Sequence, residues 1–291
     1  MPAACEVAAA SVERKVPDCP GGHGPETRGM LTKLFLSLAV LPLAAAEPNS
    51  YDCHLSGSAP VIDGDLSDKA WESAAWTADF VDIRGGDHPT PKYRTRAKML
   101  WTTAGLYVAA ELLEPHVWGT LTEKNAIIFH DNDFEIFIDP DGDTLNYYEF
   151  EINALATIWE LTLDKPYSRG GTAKLGTNLA GLKSAVKVNG TLNDPSDTDQ
   201  SWTVEVFLPW KDLAPYQGKQ TSPPKPGDTW RINFSRVEWR HEIKDGKYVR
   251  IPAHGTEIPD GDHPEDNWVW SPQGEINLHL PEKWGRVNFV E

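Results

Sequence analysis

Apolar and polar residues alternate in twos along most of this chain. In Asp133 to Asp139, Phe134, Ile136 and Ile138 share one side and Asp133, Glu135 and Phe137 the other. In the next apolar stretch, Tyr148, Phe150 and Ile152 oppose Glu149, Glu151 and Asn153. The turn-forming run DPDGDTLN separates the two, so the pattern predicts a hairpin. TRAKMLWTTAGLYVAAEL predicts two more strands around Thr103-Ala104-Gly105, and TIWELTL, SAVKVNG, WTVEVFLPW, TWRINFSRVEW and INLHLP predict others. Helical periodicity is scarce. DLSDKAWESA predicts one short helix capped by Asp65 or Ser67, and PWKDLAP a single turn. Several strands without long intervening helices predict an all-β antiparallel sandwich with one or two short helices.

The N-terminal part reads differently. Arg28 and Lys33 precede the apolar run Leu34 to Leu43, which ends at Ala44-Ala45-Ala46. That order predicts a secretory signal peptide over 30–46, opened by Met30 and too short to span a membrane. Residues 1–29 then form an upstream extension without structure, or else a long disordered leader before a short anchor. Residues 47–291 form a single domain, released outside the cytoplasm or into the periplasm. All 12 tryptophans fall in that domain, as does the net charge of −16, since the leader carries four basic and four acidic residues. So acidic a chain is a poor partner for nucleic acid or an anionic membrane and suits neutral ligands or cations. Of three cysteines only Cys53 remains after cleavage, which excludes an internal disulfide and predicts a packed, inert thiol.

The acidic hairpin asks for an explanation, because Asp and Glu are depleted in strands. Glu149, Glu151 and Asn153 share a face, and Asp133 and Glu135 share one beside it. Either this face is fully solvated, or it is a concave polar surface under a ligand, with Arg94, Arg96, Arg231 and Arg236 neutralising it across strands. The turn itself holds Asp139, Asp141 and Asp143 around Gly142, which reads either as an acidic turn or as part of a calcium loop. An EF-hand is excluded, because the twelfth position counted from Asp139 is Phe150. Asp194, Asp197 and Asp199 form a weaker alternative site. Two carboxylates can also serve glycoside hydrolysis. The histidines, His241 and His263 among them, lack the spacing of a zinc site.

The ordered set PVIDGDLSDKAWESAAW, RAKMLWTTAGLYVAAEL, HDNDFEIFIDPDGD, YYEFEINALATIWEL, WTVEVFLPWKDL, RINFSRVEW and NWVWSPQG resembles the family 9 carbohydrate-binding modules. More closely, it resembles secreted bacterial proteins with a family 9-like, DOMON-related sugar-binding domain. The resemblance runs from about Tyr51 to the C-terminus. It implies a jelly-roll or immunoglobulin-like β-sandwich that binds oligo- or polysaccharide without turnover, in polysaccharide breakdown and beside separate carbohydrate-active enzymes. It implies sugar stacked between two tryptophans, for which Trp118 and Trp270 match by motif. Asn267, Glu123 and Lys124 stand where the family's polar neighbours would, with Arg236 and Asn153 added on strand periodicity. It also raises a structural calcium at Asp139, Asp141 and Asp143. Two rival readings remain: a glycoside hydrolase or its accessory subunit, and a haem-binding DOMON-type domain, for which Met99 is the sole methionine left after cleavage.

Overall fold

The structure is a computed structural model, and it describes residues 47–291 apart from 87, 219–221 and 253–263. The predicted extension (1–29), the predicted signal peptide (30–46) and His263 lie outside the described residues. Among the described residues no helix is long and apolar enough to cross a membrane.

Among the described residues fifteen strands follow one another. They are β1 (Ser50–Leu55), β2 (Val81–Asp82), β3 (Thr95–Trp101), β4 (Gly105–Leu113), β5 (Asp133–Asp139), β6 (Tyr147–Asn153), β7 (Ile158–Leu163) and β8 (Ala173–Leu175). Then come β9 (Lys183–Asn189), β10 (Ser201–Pro209), β11 (Thr229–Glu238), β12 (Arg240–Lys244), β13 (Lys247–Ile251), β14 (Asp266–Val269) and β15 (Gly285–Val290). Thirteen of them form one curled sheet in the order β8-β7-β6-β5-β11-β15-β1-β3-β4-β10-β9, with β14 and then β2 branching from β11; β12 and β13 pair separately. The two limbs of this sheet fold over each other as a β-sandwich. Met99, Val108 and Val206 from one limb and Phe134, Ile136, Phe150 and Phe234 from the other belong to a single buried cluster.

The sandwich is not wholly antiparallel. β1 runs parallel to both β15 and β3, so the N-terminal strand closes the corner between the limbs. Two parallel neighbours leave no hairpin to report on this pairing, and alternation alone does not encode it. The helix expected over DLSDKAWESA shrinks to a 3-10 turn, Lys69–Ser73. Neither Asp65 nor Ser67 caps it, because Asp65 accepts instead from Ser67 N and from Lys187 Nζ. The turn in PWKDLAP is α1, Trp210–Leu213. Cys53 is buried and its thiol is pushed well up by that burial, so it stays protonated and inert.

Candidate functional site

The predicted hairpin is β5 and β6, paired antiparallel with Glu135 opposite Glu151 and Phe137 opposite Glu149. The core face of β5 holds Phe134, Ile136 and Ile138. The other face carries the acids, and it is covered rather than solvated. Asp133, Glu135, Glu149 and Glu151 are 0%, 2%, 4% and 1% exposed. The cover comes from a second apolar cluster that includes Ile128, Phe137, Trp159, Leu161 and Trp284. The solvated-face reading is therefore corrected. The loops that supply Ile128 and Leu278 pack down on the sheet, and the strand alternation carries no trace of them.

Between those loops and the sheet lies a cleft of about 380 Å³. Glu135, Glu149 and Glu151 are among its lining residues, with Trp159 and Leu161 from β7, Val237 from β11 and Asn267 from β14. Phe129 and Tyr167, 39% and 48% exposed, stand on its walls. The Phe129 ring lies 6.1 Å from that of Trp159, and Tyr167 packs edge-on against His279 at 4.6 Å. Burial lowers the His279 imidazole to about 4, so it is neutral near pH 7, with Nδ1 3.1 Å from the Tyr147 hydroxyl. The site is thus an acid-floored slot with aromatic walls.

The arginines do not neutralise these acids. Arg94 and Arg96 bind Glu111, and Arg231 donates to the Trp284 carbonyl. Arg236 is buried on the core face, against Glu114 and Glu238. Its guanidinium also donates to Thr95 Oγ1 and the Leu113 carbonyl, and it lies over the Trp268 ring at 5.0 Å. These contacts make it a clamp across the core face. Lacking counter-charges, the cleft acids are raised: burial, reinforced by neighbouring carboxylates, holds Asp133, Glu149 and Glu151 well above the usual range. Burial brings Glu135 to about 7. Asp131, two residues before Asp133, has a different setting. Its Oδ2 accepts from Thr120 N, Leu121 N and Asn153 Nδ2, which pins the preceding loop.

The other expected residues scatter. Trp270 is 1% exposed, in the core against Phe234 and Tyr51, with Gly285 passing over its ring. Trp118 is 2% exposed and stacks on Tyr248, in a cluster with Val237 and Trp239. Phe234 and Val237 project to opposite faces of β11, so the two indoles do not form a sandwich and neither offers a face to a ligand. Asn153 spends its amide on Leu155 N, Thr157 N, the Leu121 carbonyl and Asp131. It braces a turn. Glu123 is exposed, and Lys124 reaches Glu160 at 3.3 Å. Asn267 is the member of the set that lines the cleft. Sequence reasoning missed Phe129, Trp159 and Tyr167. Trp159 had a usable signal, since its strand alternation sets it on the face of Glu151, directly across from it.

The acidic turn holds Asp139 buried, with Oδ1 accepting from Gly142 N at 3.1 Å and Oδ2 from Thr144 N at 2.9 Å. One oxygen from each of Asp139, Asp141 and Asp143 lies within 4.8 Å of the others. Burial, with Asp141 and Asp143 nearby, lifts Asp139 to about 7. An all-carboxylate donor set fits a hard cation. Met99, on which haem ligation would rest, is enclosed in the core, with its amide on the Tyr51 hydroxyl.

Residues 62–227 match the model of a family described as carbohydrate family 9 binding domain-like. The chain is 26% identical over 159 residues to endo-1,4-beta-xylanase A of Thermoanaerobacterium saccharolyticum, covering 55% of this chain and 12% of that protein. It is 27% identical over 160 residues to endo-1,4-beta-xylanase C of Paenibacillus barcinonensis, again 12% of the relative's length. It thus spans about an eighth of the curated relatives it matches. Among solved structures, a putative carbohydrate-binding protein from Bacteroides uniformis aligns with a TM-score of 0.58 at 16% identity, over 84% of this chain and all of that one. A family 9 carbohydrate-binding module from Caldicellulosiruptor kristjanssonii, in complex with cellotriose, aligns at 0.50 and 16% identity, over 83% of this chain and 94% of that one.

Proposed function

This chain belongs to the carbohydrate family 9 binding domain-like family, and we propose that it binds the end of a saccharide in the cleft between Phe129 and Tyr167. The observation that carries this reading is the pair of exposed aromatic rings flanking a largely apolar slot with carboxyl groups on its floor. Ring faces take the C–H side of a pyranose, while Asn267, Asn277 and the carboxylates on the floor accept or donate to hydroxyls. The family relative seen with cellotriose makes a short glucan the first candidate, and the xylanase relatives make xylan fragments the second.

Binding without turnover is favoured by the placement of the acids. Asp133, Glu135 and Glu151 each bring one oxygen to within 4.8 Å of the others, all on the same floor. They form one buried cluster on the floor rather than two groups flanking a bond. We place the protein outside the cytoplasm, delivered by a signal peptide over 30–46, where it would hold fragments for separate carbohydrate-active enzymes. The Asp139, Asp141 and Asp143 turn would hold a structural calcium that stiffens the hairpin.

Tryptophan fluorescence, titrated with cellotriose and xylotriose, tests the site. The expected result is a saturable change in which Phe129→Ala or Tyr167→Ala weakens affinity about tenfold or more, near 1.4 kcal/mol, with the fold intact. Unchanged affinity in both variants would move the site elsewhere on the molecule.

A further inference from the structure

The cleft floor concentrates carboxyl groups with no described cation to balance them once ionised. Glu135 faces Glu151 across the β5–β6 ladder, and Asp133 lies two residues along the same face. Like charges directly opposite in a ladder repel, and a buried carboxylate is costly to ionise unless it is paired. Yet the nearby arginines are committed to other partners. Hydrogen bonds fill only part of the gap: Glu135 meets Ser235, and Glu149 meets Glu151. Asp133 Oδ1 accepts from Val237 N and Glu151 Oε2 from Phe129 N. Asp133 Oδ2, Glu135 Oε2 and Glu149 Oε2 are buried and accept none among the described residues. Buried polar atoms left this way mark a missing partner.

The donor set says what kind of partner. One oxygen from each of Asp133, Glu135 and Glu151 lies within 4.8 Å of the other two. An all-carboxylate set suits a hard divalent cation, and calcium accepts irregular oxygen geometry where magnesium demands a near-ideal octahedron. We propose that Asp133, Glu135 and Glu151 bind a calcium ion at the floor of the cleft, with Glu149 beside it and the outward positions left to water. This ion is separate from any ion in the hairpin turn: Asp133 and Asp139 are the two ends of β5, roughly 20 Å apart at about 3.3 Å per residue. It does not depend on the sugar reading, and its test uses no sugar.

The test uses the full protein stripped of metal with EDTA and dialysed. Terbium, a calcium mimic, is added with excitation of tryptophan, because Trp159 sits directly opposite Glu151 in the ladder and would sensitise it. Melting is followed with and without 1 mM calcium. The expected wild-type result is sensitised luminescence displaced by calcium and a Tm raised by about 5 °C or more. Glu135→Gln should lose most of both responses, and should melt higher than wild type in EDTA because one of the opposed carboxylates is gone. Asp141→Asn, in the turn, should keep the luminescence. The proposal is overturned if wild type gives neither response, or if both survive in Glu135→Gln and vanish in Asp141→Asn. Glu151→Gln supplies the same comparison should Glu135→Gln fail to fold.

Discussion

Arg236, singled out on strand periodicity, is held entirely by other side chains and backbone of the core face. It donates five hydrogen bonds, two of them to Glu238 and one to Glu114, and its side chain is wholly enclosed. One guanidinium faces two carboxylates. Burial and the neighbouring Glu238 therefore raise the Glu114 carboxyl, so one of the pair keeps its proton at neutral pH. The two sides of this cluster should answer mutation differently. Arg236→Ala strands both acids and should cost about 3–5 kcal/mol in urea unfolding. Glu114→Gln leaves one full ion pair plus a neutral partner and should cost less than about 1 kcal/mol. Equal losses would mean that both carboxylates are ionised. FSRVEW holds only one of its partners, Glu238; the others, Thr95, Leu113 and Glu114, lie over 100 positions away, so the motif alone does not distinguish this clamp from a binding arginine.

At the scale of elements, much was readable and the rest has a common cause. The β5–β6 hairpin, the β3–β4 hairpin and α1 were all evident, since each is set by neighbouring residues and a turn. Asn267 is singled out by the family resemblance of NWVWSPQG rather than by alternation, and it lines the cleft. The parallel pairings of β1 were hidden, and so was the depth at which Trp270 lies. Strand periodicity assigns a residue to a face but does not say which face gets covered. Trp270 went to the core because β15 crosses it closely. A Cβ added at Gly285 would stand 2.3 Å from the Trp270 Cζ3. Gly285→Ala should therefore push the indole or bend β15, at a cost of about 1–3 kcal/mol. If the saccharide site lies in the acidic cleft, its affinity should change little in any variant that still folds. Chemical denaturation and the fluorescence titration together check both halves of that statement.

Taken as a whole, the chain carries 27 basic against 43 acidic side chains, and the balance of −16 must be attenuated for the fold to persist. The structure attenuates part of it in the cleft, where raised acids hold their protons in the absence of a cation. Another part sits on the surface, where pairs such as Lys187–Asp65 and Arg286–Glu47 are exposed and individually weak. Surface repulsion is long-ranged at low salt, with a Debye length near 30 Å at 0.01 M that shrinks to about 10 Å at 0.1 M. In EDTA, raising sodium chloride across that range should therefore raise Tm by a few degrees, because the folded state confines more like charge than the unfolded chain. A fall in Tm would mean that surface pairing outweighs repulsion. Calcium added at matched ionic strength should act on top of this shift, and its increment should saturate where the sodium effect is gradual. That difference in shape separates ions held at particular carboxylates from ions that only screen the acidic surface.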